Sequence, residues 1–86
     1  MNDHLYAPCF VYLLRCRDGS LYCGATTNLE RRTAQHNSGK GARYTRSRLP
    51  VSLVWSEAQP NWPTALSREA EIKKMKKKQK EKLVAT

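Results

Sequence analysis

Two carboxylates, Glu69 and Glu71, lie in a stretch whose apolar residues recur at helical spacing. Helical geometry puts Glu69 at the centre of the face carrying Trp62, Ala65, Leu66 and Ile72, while Glu71 points the opposite way. An ionised carboxylate on a core-facing stripe is unfavourable by several kcal/mol unless a cation or hydrogen bonds compensate it. One compensation is an ion pair with Arg32 or Lys73, which periodicity alone favours. The other is a hard divalent ion, because Mg2+ takes only one or two protein carboxylates when phosphate and water fill the remaining positions. Leu29, Arg32, Thr33 and His36 share a helix face in the same way, with Arg31 turned away from it. An inward arginine with a histidine one turn later suits a buried ion pair or a clamp on a phosphate whose charge grows during transfer. His36 by itself reads as a satisfied core histidine.

A third group is basic. Lys40, Arg43, Arg46 and Arg48 surround Tyr44 in the segment Gly39 to Arg48, a loop suited to phosphates, with glycines that let backbone amides approach an anion and a tyrosine able to stack on a base. Lys73 to Lys82 is also lysine-rich, but its lysines surround most of a helix and leave Met75, Leu83 and Val84 as anchors. A solvated helix and a second phosphate track fit it equally.

These groups need elements to hold them. Phe10 to Cys16 and Leu21 to Gly24 are β-prone runs separated by Arg17-Asp18-Gly19-Ser20, which reads as a hairpin. Thr27 to Glu30 has capping-box spacing before a helix that stops near Asn37-Ser38-Gly39. After Pro50, the alternation of Val51, Leu53 and Trp55 with Ser52, Val54 and Ser56 predicts a strand with one buried face. Thr64 is the candidate N-cap of a helix through Ala65, Leu66, Ala70 and Ile72 to about Met75, and a basic helix covers roughly Lys77 to Val84. The order β-β-α-β-α-α predicts an α+β fold, a small three-stranded sheet with flanking helices.

Eighty-six residues, read as a single domain over 1–86, leave one thin core with any site on its surface. Sixteen Lys and Arg against seven Asp and Glu give a net charge of +9, which attracts polyanions; excess lysine that merely aids solubility is the plainer reading of the same number. Cys9, Cys16 and Cys23 are odd in number and form no C-x-x-C pair, so neither a disulfide framework nor a zinc site is indicated and a reducing cytoplasm is expected. Met1 to His4 does not open an export signal, and no apolar run approaches membrane-spanning length.

Phe10-Val11-Tyr12, ten residues ahead of Tyr22-Cys23-Gly24, followed by Asn28-Leu29-x-x-Arg32-x-x-x-His36 and an inward Glu69, resembles the GIY-YIG endonuclease superfamily over nearly the whole chain. It is most similar to the small stand-alone bacterial members, although the first triplet lacks its glycine and isoleucine. The resemblance implies a metal-dependent endonuclease hydrolysing phosphodiester bonds in nucleic acid, DNA ahead of RNA, in a DNA repair setting, with Mg2+ or Mn2+ as cofactor. Tyr12, Tyr22, Arg32 and His36 take the catalytic positions and Glu69 the metal position, with Lys40, Arg43, Tyr44, Arg46 and Arg48 assigned to substrate holding. For Tyr12 to serve as a base, a nearby cation must lower its pKa from about 10. The alternatives are a non-catalytic nucleic-acid-binding module, or a small interaction subunit docking on a larger protein through Trp62 or Trp55.

The hairpin register separates local preference from function. A two-residue Asp18-Gly19 turn, which turn statistics favour, puts Tyr22 on the sheet face opposite Tyr12. A three-residue loop with Gly19 left-handed pairs Cys16 with Ser20 and Leu14 with Tyr22, placing both tyrosines on one face. A shared site requires the second register.

Overall fold

A computed structural model describes residues 8–86, so the reading of Met1 to His4 lies outside the described residues. The elements are β1 (Cys9–Arg15), β2 (Leu21–Thr26), α1 (Leu29–Asn37), α2 (Arg43–Arg46), β3 (Ser52–Gln59), α3 (Trp62–Lys73) and α4 (Lys77–Val84). This is the expected α+β order with one addition: a single helical turn, α2, inside what reads as an irregular basic loop. The sheet is antiparallel in the order β2-β1-β3.

β1 is the central strand, and its run of Cys9, Val11, Tyr12, Leu13 and Leu14 is buried because helices cover both faces. On one face Val11, Leu13 and Cys23 pack with Ala65 and Ile72 of α3, joined by Met75 and by Leu83 and Val84 of α4. On the other, Tyr12, Leu14 and Cys16 pack with Val51, Tyr22, and Leu29 of α1. Fully burying one such aliphatic side chain contributes about 1.5–3 kcal/mol, so the two small clusters together are what holds the sheet.

The hairpin adopts the three-residue loop. Cys16 N–H donates to Ser20 O at 2.9 Å and Gly19 N–H to Cys16 O at 2.9 Å, while Gly19 has φ 86°, the left-handed region that glycine enters without steric penalty. Leu14 pairs with Tyr22 and Tyr12 with Gly24, so the two tyrosines share a face. The Asp18 carboxylate accepts from Ser20 N–H at 3.0 Å, a local bond that the two-residue turn would forgo.

Four local expectations are corrected. The N-cap of α1 is Asn28, whose side chain accepts from Arg31 N–H at 3.0 Å, so the Thr27 to Glu30 spacing does not act as a capping box. Asn61, not Thr64, caps α3, accepting from Thr64 N–H at 2.9 Å, and Pro63 fits the first turn, where no donor is needed. In β3 the simple alternation fails. A bulge opposite Leu13 and Leu14 lets Val54 and Trp55 both reach the core and leaves Leu53 exposed. Finally, Trp62 and Leu66 are 42% and 44% exposed, so the buried stripe of α3 is narrower than predicted and rests on Ala65 and Ile72.

Candidate active site

On the face of the sheet covered by α1, the Tyr12 ring lies over Gly24 of the neighbouring strand. A Cβ at position 24 would run into the Tyr12 hydroxyl and ring, which is why the second triplet ends in glycine. The Tyr12 hydroxyl reaches His36 Nε2 at 3.0 Å, and His36 Nδ1 lies 2.8 Å from Thr45 Oγ1. Tyr12, His36 and Thr45 are all buried. Thr45 Oγ1 lies 2.9 Å from Ala42 O, a pure acceptor, so the single hydroxyl proton goes there and Nδ1–H must donate to Thr45. The Ala42 N–H also points at Nδ1, at 3.4 Å, and by itself favours a bare Nδ1; the shorter Thr45 contact, with its hydroxyl proton on Ala42 O, outweighs it and sets the tautomer. Nε2 is then the bare nitrogen, and the Tyr12 O–H donates to it. This is a directed chain, Tyr12 to His36 to Thr45 to the Ala42 carbonyl, with no buried side-chain polar atom left unsatisfied among the described residues.

Electrostatics favour the neutral form of both titrating groups. Burial, with the Arg32 guanidinium adding to it, pushes the His36 imidazole down to about 4. Burial pushes the Tyr12 phenol up to about 12; Arg32 pulls it down, and the charges at Tyr22 and Glu69 add smaller upward contributions. The expected lowering of Tyr12 by a cation is thus present in direction and outweighed by desolvation. Arg32 is half-buried on the face of α1 that carries His36, and Arg31 is exposed, as the helical spacing predicts.

α3 covers the opposite face of the sheet, yet its residues reach the site past β2, the edge strand. The Lys73 ammonium is 5.9 Å from the Tyr22 ring and the Glu69 charge acts on Tyr12, while the Glu69 backbone O meets Cys23 Sγ at 3.9 Å on the α3 face. The Glu69 side chain is 18% exposed and pairs with Lys73 at 3.1 Å, so of the two candidate ion-pair partners Lys73 is the one that meets it. Among the described residues no three His, Cys, Asp or Glu gather as a metal cluster, which excludes a zinc-type ligand set within them. One carboxylate beside a tyrosine pair fits Mg2+ or Mn2+, which complete their shells with water and phosphate oxygens.

Tyr22 stacks edge-on to His36, with centroids 5.2 Å apart, and packs in parallel on Tyr44 at 6.1 Å. Tyr44 is in turn covered by the Arg48 guanidinium, 3.8 Å from the ring centroid. Arg48 also pairs with Asp18 of the hairpin loop at 3.0 Å and donates to Tyr44 O at 2.8 Å. It is therefore a clasp between two loops, whereas Lys40, Arg43 and Arg46 are exposed and have no ion-pair partner among the described residues. The loop glycines also act differently from expectation. Gly39 ends α1, and a Cβ at Gly41 would collide with the His36 ring, so Gly41 makes room for the imidazole. Sequence reasoning missed Thr45 and Asn37. The Asn37 side chain both accepts from Val51 N–H at 2.7 Å and donates to Val51 O at 2.9 Å, fastening the end of α1 to the start of β3.

Residues 8–82 match the GIY-YIG catalytic domain family. The UPF0213 protein of Streptococcus pneumoniae is 50% identical over 76 residues, covering 88% of this chain and 77% of that protein. The UPF0213 protein of the archaeon Natronomonas pharaonis is 51% identical over 76 residues, covering 88% and 89%. Among solved structures, the solution NMR structure of a UPF0213 protein from Bacillus halodurans has a TM-score of 0.58 at 46% identity, covering 91% of this chain and 83% of that one. That of an E. faecalis protein has a TM-score of 0.60 at 44% identity, covering 87% and 80%.

Proposed function

The chain belongs to the GIY-YIG catalytic domain family, and from that premise we propose that it is a metal-dependent endonuclease that hydrolyses phosphodiester bonds, with DNA as the preferred nucleic acid and a place in DNA repair in the cytoplasm. The observation that carries the reading is the buried contact of the Tyr12 hydroxyl with a bare His36 nitrogen, beside the Arg32 guanidinium and the Glu69 carboxylate. A purely structural tyrosine and histidine do not need a charged arginine and a carboxylate beside them.

Arg32 binds the scissile phosphate and stabilises the charge that develops on it. Tyr12 accepts a proton from the attacking water as its own proton passes to His36 Nε2. A phenol held near 12 is a strong base once deprotonated, and the relay removes the need for free phenolate at neutral pH. His36 is neutral, but burial first and Arg32 second hold its pKa down and weaken it as an acceptor; an incoming phosphate that neutralises Arg32 removes the smaller of these two causes. The water oxygen bonds to phosphorus as the bond to the 3′ oxygen breaks. The products are a 5′-phosphate and a 3′-hydroxyl, the latter taking its proton from solvent. Glu69 would hold Mg2+ or Mn2+, which supplies charge stabilisation at the leaving oxygen when bound. Lys40, Arg43, Tyr44 and Arg46 hold flanking substrate, and Arg48 keeps Tyr44 in place.

A plasmid-nicking assay with and without Mg2+ and Mn2+ tests the activity. Metal-dependent nicking that vanishes in Glu69→Ala is expected. Salt-dependent binding without nicking under any condition would instead favour the non-catalytic module. For the interaction-subunit reading, Trp55 is packed against the core, and Trp62 is the exposed tryptophan a partner would meet.

A further inference from the structure

The lysine-rich α4, which the sequence leaves between a solvated helix and a phosphate track, divides in the structure. Lys77, Lys78 and Lys82 are exposed, while Lys80 is half-buried. The orientation of α4 is set by its C-terminal half: Leu83 and Val84 pack on the core, and Glu81 forms a two-pronged pair with Arg15 at the end of β1, one arm at 2.7 Å. Lys80 consequently turns toward the β2 edge, and its ammonium has no carboxylate partner among the described residues. There it lines a pocket with Lys73, Tyr22, Tyr44, Leu21 and Cys23. Lys73 is already paired with Glu69, so the uncompensated charge in the pocket is that of Lys80, and an anion there balances it. The wall of the same pocket is aromatic: Tyr22 and Tyr44 stack on each other with an interplanar angle of 23° and Arg48 covers Tyr44, so a base meets the edge of this stack.

We propose that this pocket is a mononucleotide subsite, in which Lys73 and Lys80 take a phosphate and the Tyr22–Tyr44 wall takes the attached base. Two ammoniums beside two tyrosine rings match the two chemical halves of a nucleotide, a doubly charged phosphate and a flat π-surface. Tyr22 also touches His36, so the subsite adjoins the catalytic chain. Its place, one nucleotide from the bond that is cut, rests on the nuclease reading; its ligand chemistry does not.

The test is metal-free titration of the full chain with thymidine 5′-monophosphate, followed by amide NMR shifts, with inorganic phosphate as the comparison ligand. Shifts confined to Leu21, Tyr22, Cys23, Tyr44, Lys73 and Lys80, with tighter binding than inorganic phosphate, are expected. Lys80→Gln should weaken binding about tenfold, as loss of one charge-assisted contact does, and the equally charge-reducing Lys78→Gln less than about twofold. Equal effects of the two variants would show general attraction to a basic surface and overturn the subsite. Inorganic phosphate binding as well as the nucleotide would overturn its aromatic half. The outcomes separate from the nuclease reading: nicking that persists while Lys80→Gln binds like Lys78→Gln sinks the subsite alone. Lys80-dependent nucleotide binding without nicking sinks the nuclease alone.

Discussion

Acidification should destabilise the protein through His36 before its carboxylates titrate. The imidazole is buried, and its pKa is pushed down to about 4 against an ordinary 6.5. The unfolded chain therefore takes up the proton first as pH falls, and the native state, which must keep the ring neutral to accept from Tyr12, loses ground. Stability from this group is complete above pH 6.5 and declines as pH drops toward 4. At 1.36 kcal/mol per pH unit the full loss is roughly 3 kcal/mol, of which about 2 kcal/mol falls between pH 7.5 and 5. A chain of this size has a total stability of about 4 to 13 kcal/mol, so the effect is readily measured. Urea unfolding followed by circular dichroism, at a series of pH values, reads it in wild type and in His36→Gln. Asp18 and Glu81, held low by bonds to Ser20 and to Arg15 respectively, lose their contributions as pH falls and cancel in the difference between the two proteins. Parallel pH dependences in wild type and variant would refute a buried neutral His36.

Thr45→Val should lower cleavage at least about tenfold by releasing the His36 tautomer, with rescue in Thr45→Ser; nitrogen NMR of the ring should change from Nδ1-protonated to a mixture, and an unchanged ring signal would sink the tautomer argument. Arg32→Ala should reduce cleavage by orders of magnitude while Arg31→Ala alters little beyond affinity, because only Arg32 is turned toward Tyr12 and His36; equal losses would mean the facing argument fails. Spectrophotometric titration should show a late phenolate step near pH 12 that is absent in Tyr12→Phe. The raised folded value makes this group's contribution complete below pH 10 and lost as pH rises toward 12, so a titration with no late step contradicts the burial.

Much of the site is legible in the chain because it follows from periodicity. Arg32, His36 and Glu69 sit where helical spacing puts them, and Arg17-Asp18-Gly19 forms the loop that a shared tyrosine face requires. What is not legible depends on tertiary contact. Thr45 reads as a loop threonine until α2 brings it under His36, and Gly41 reads as a flexible residue until the imidazole occupies the space of its Cβ. Asn28 and Asn61 outcompete neighbouring threonines as caps, a choice between residues of similar propensity that local sequence does not decide. The bulge at Val54 is set by the pairing partner, β1, and so breaks an alternation that β3 alone would suggest. Periodicity alone reads Glu69 as an ion pair and the family resemblance reads it as a ligand position; the structure gives the ion pair, with Lys73 as the resident cation.

The most direct test of the relay is single-turnover cleavage of a nicked-product plasmid assay by Tyr12→Phe in saturating Mg2+ or Mn2+, with the fold checked by circular dichroism. The substitution keeps the ring over Gly24 and removes only the oxygen that meets His36. Cleavage should fall by orders of magnitude while fold and metal-free DNA binding stay at wild-type levels; cleavage by Tyr12→Phe at the wild-type rate would contradict a water proton passing through Tyr12 to His36.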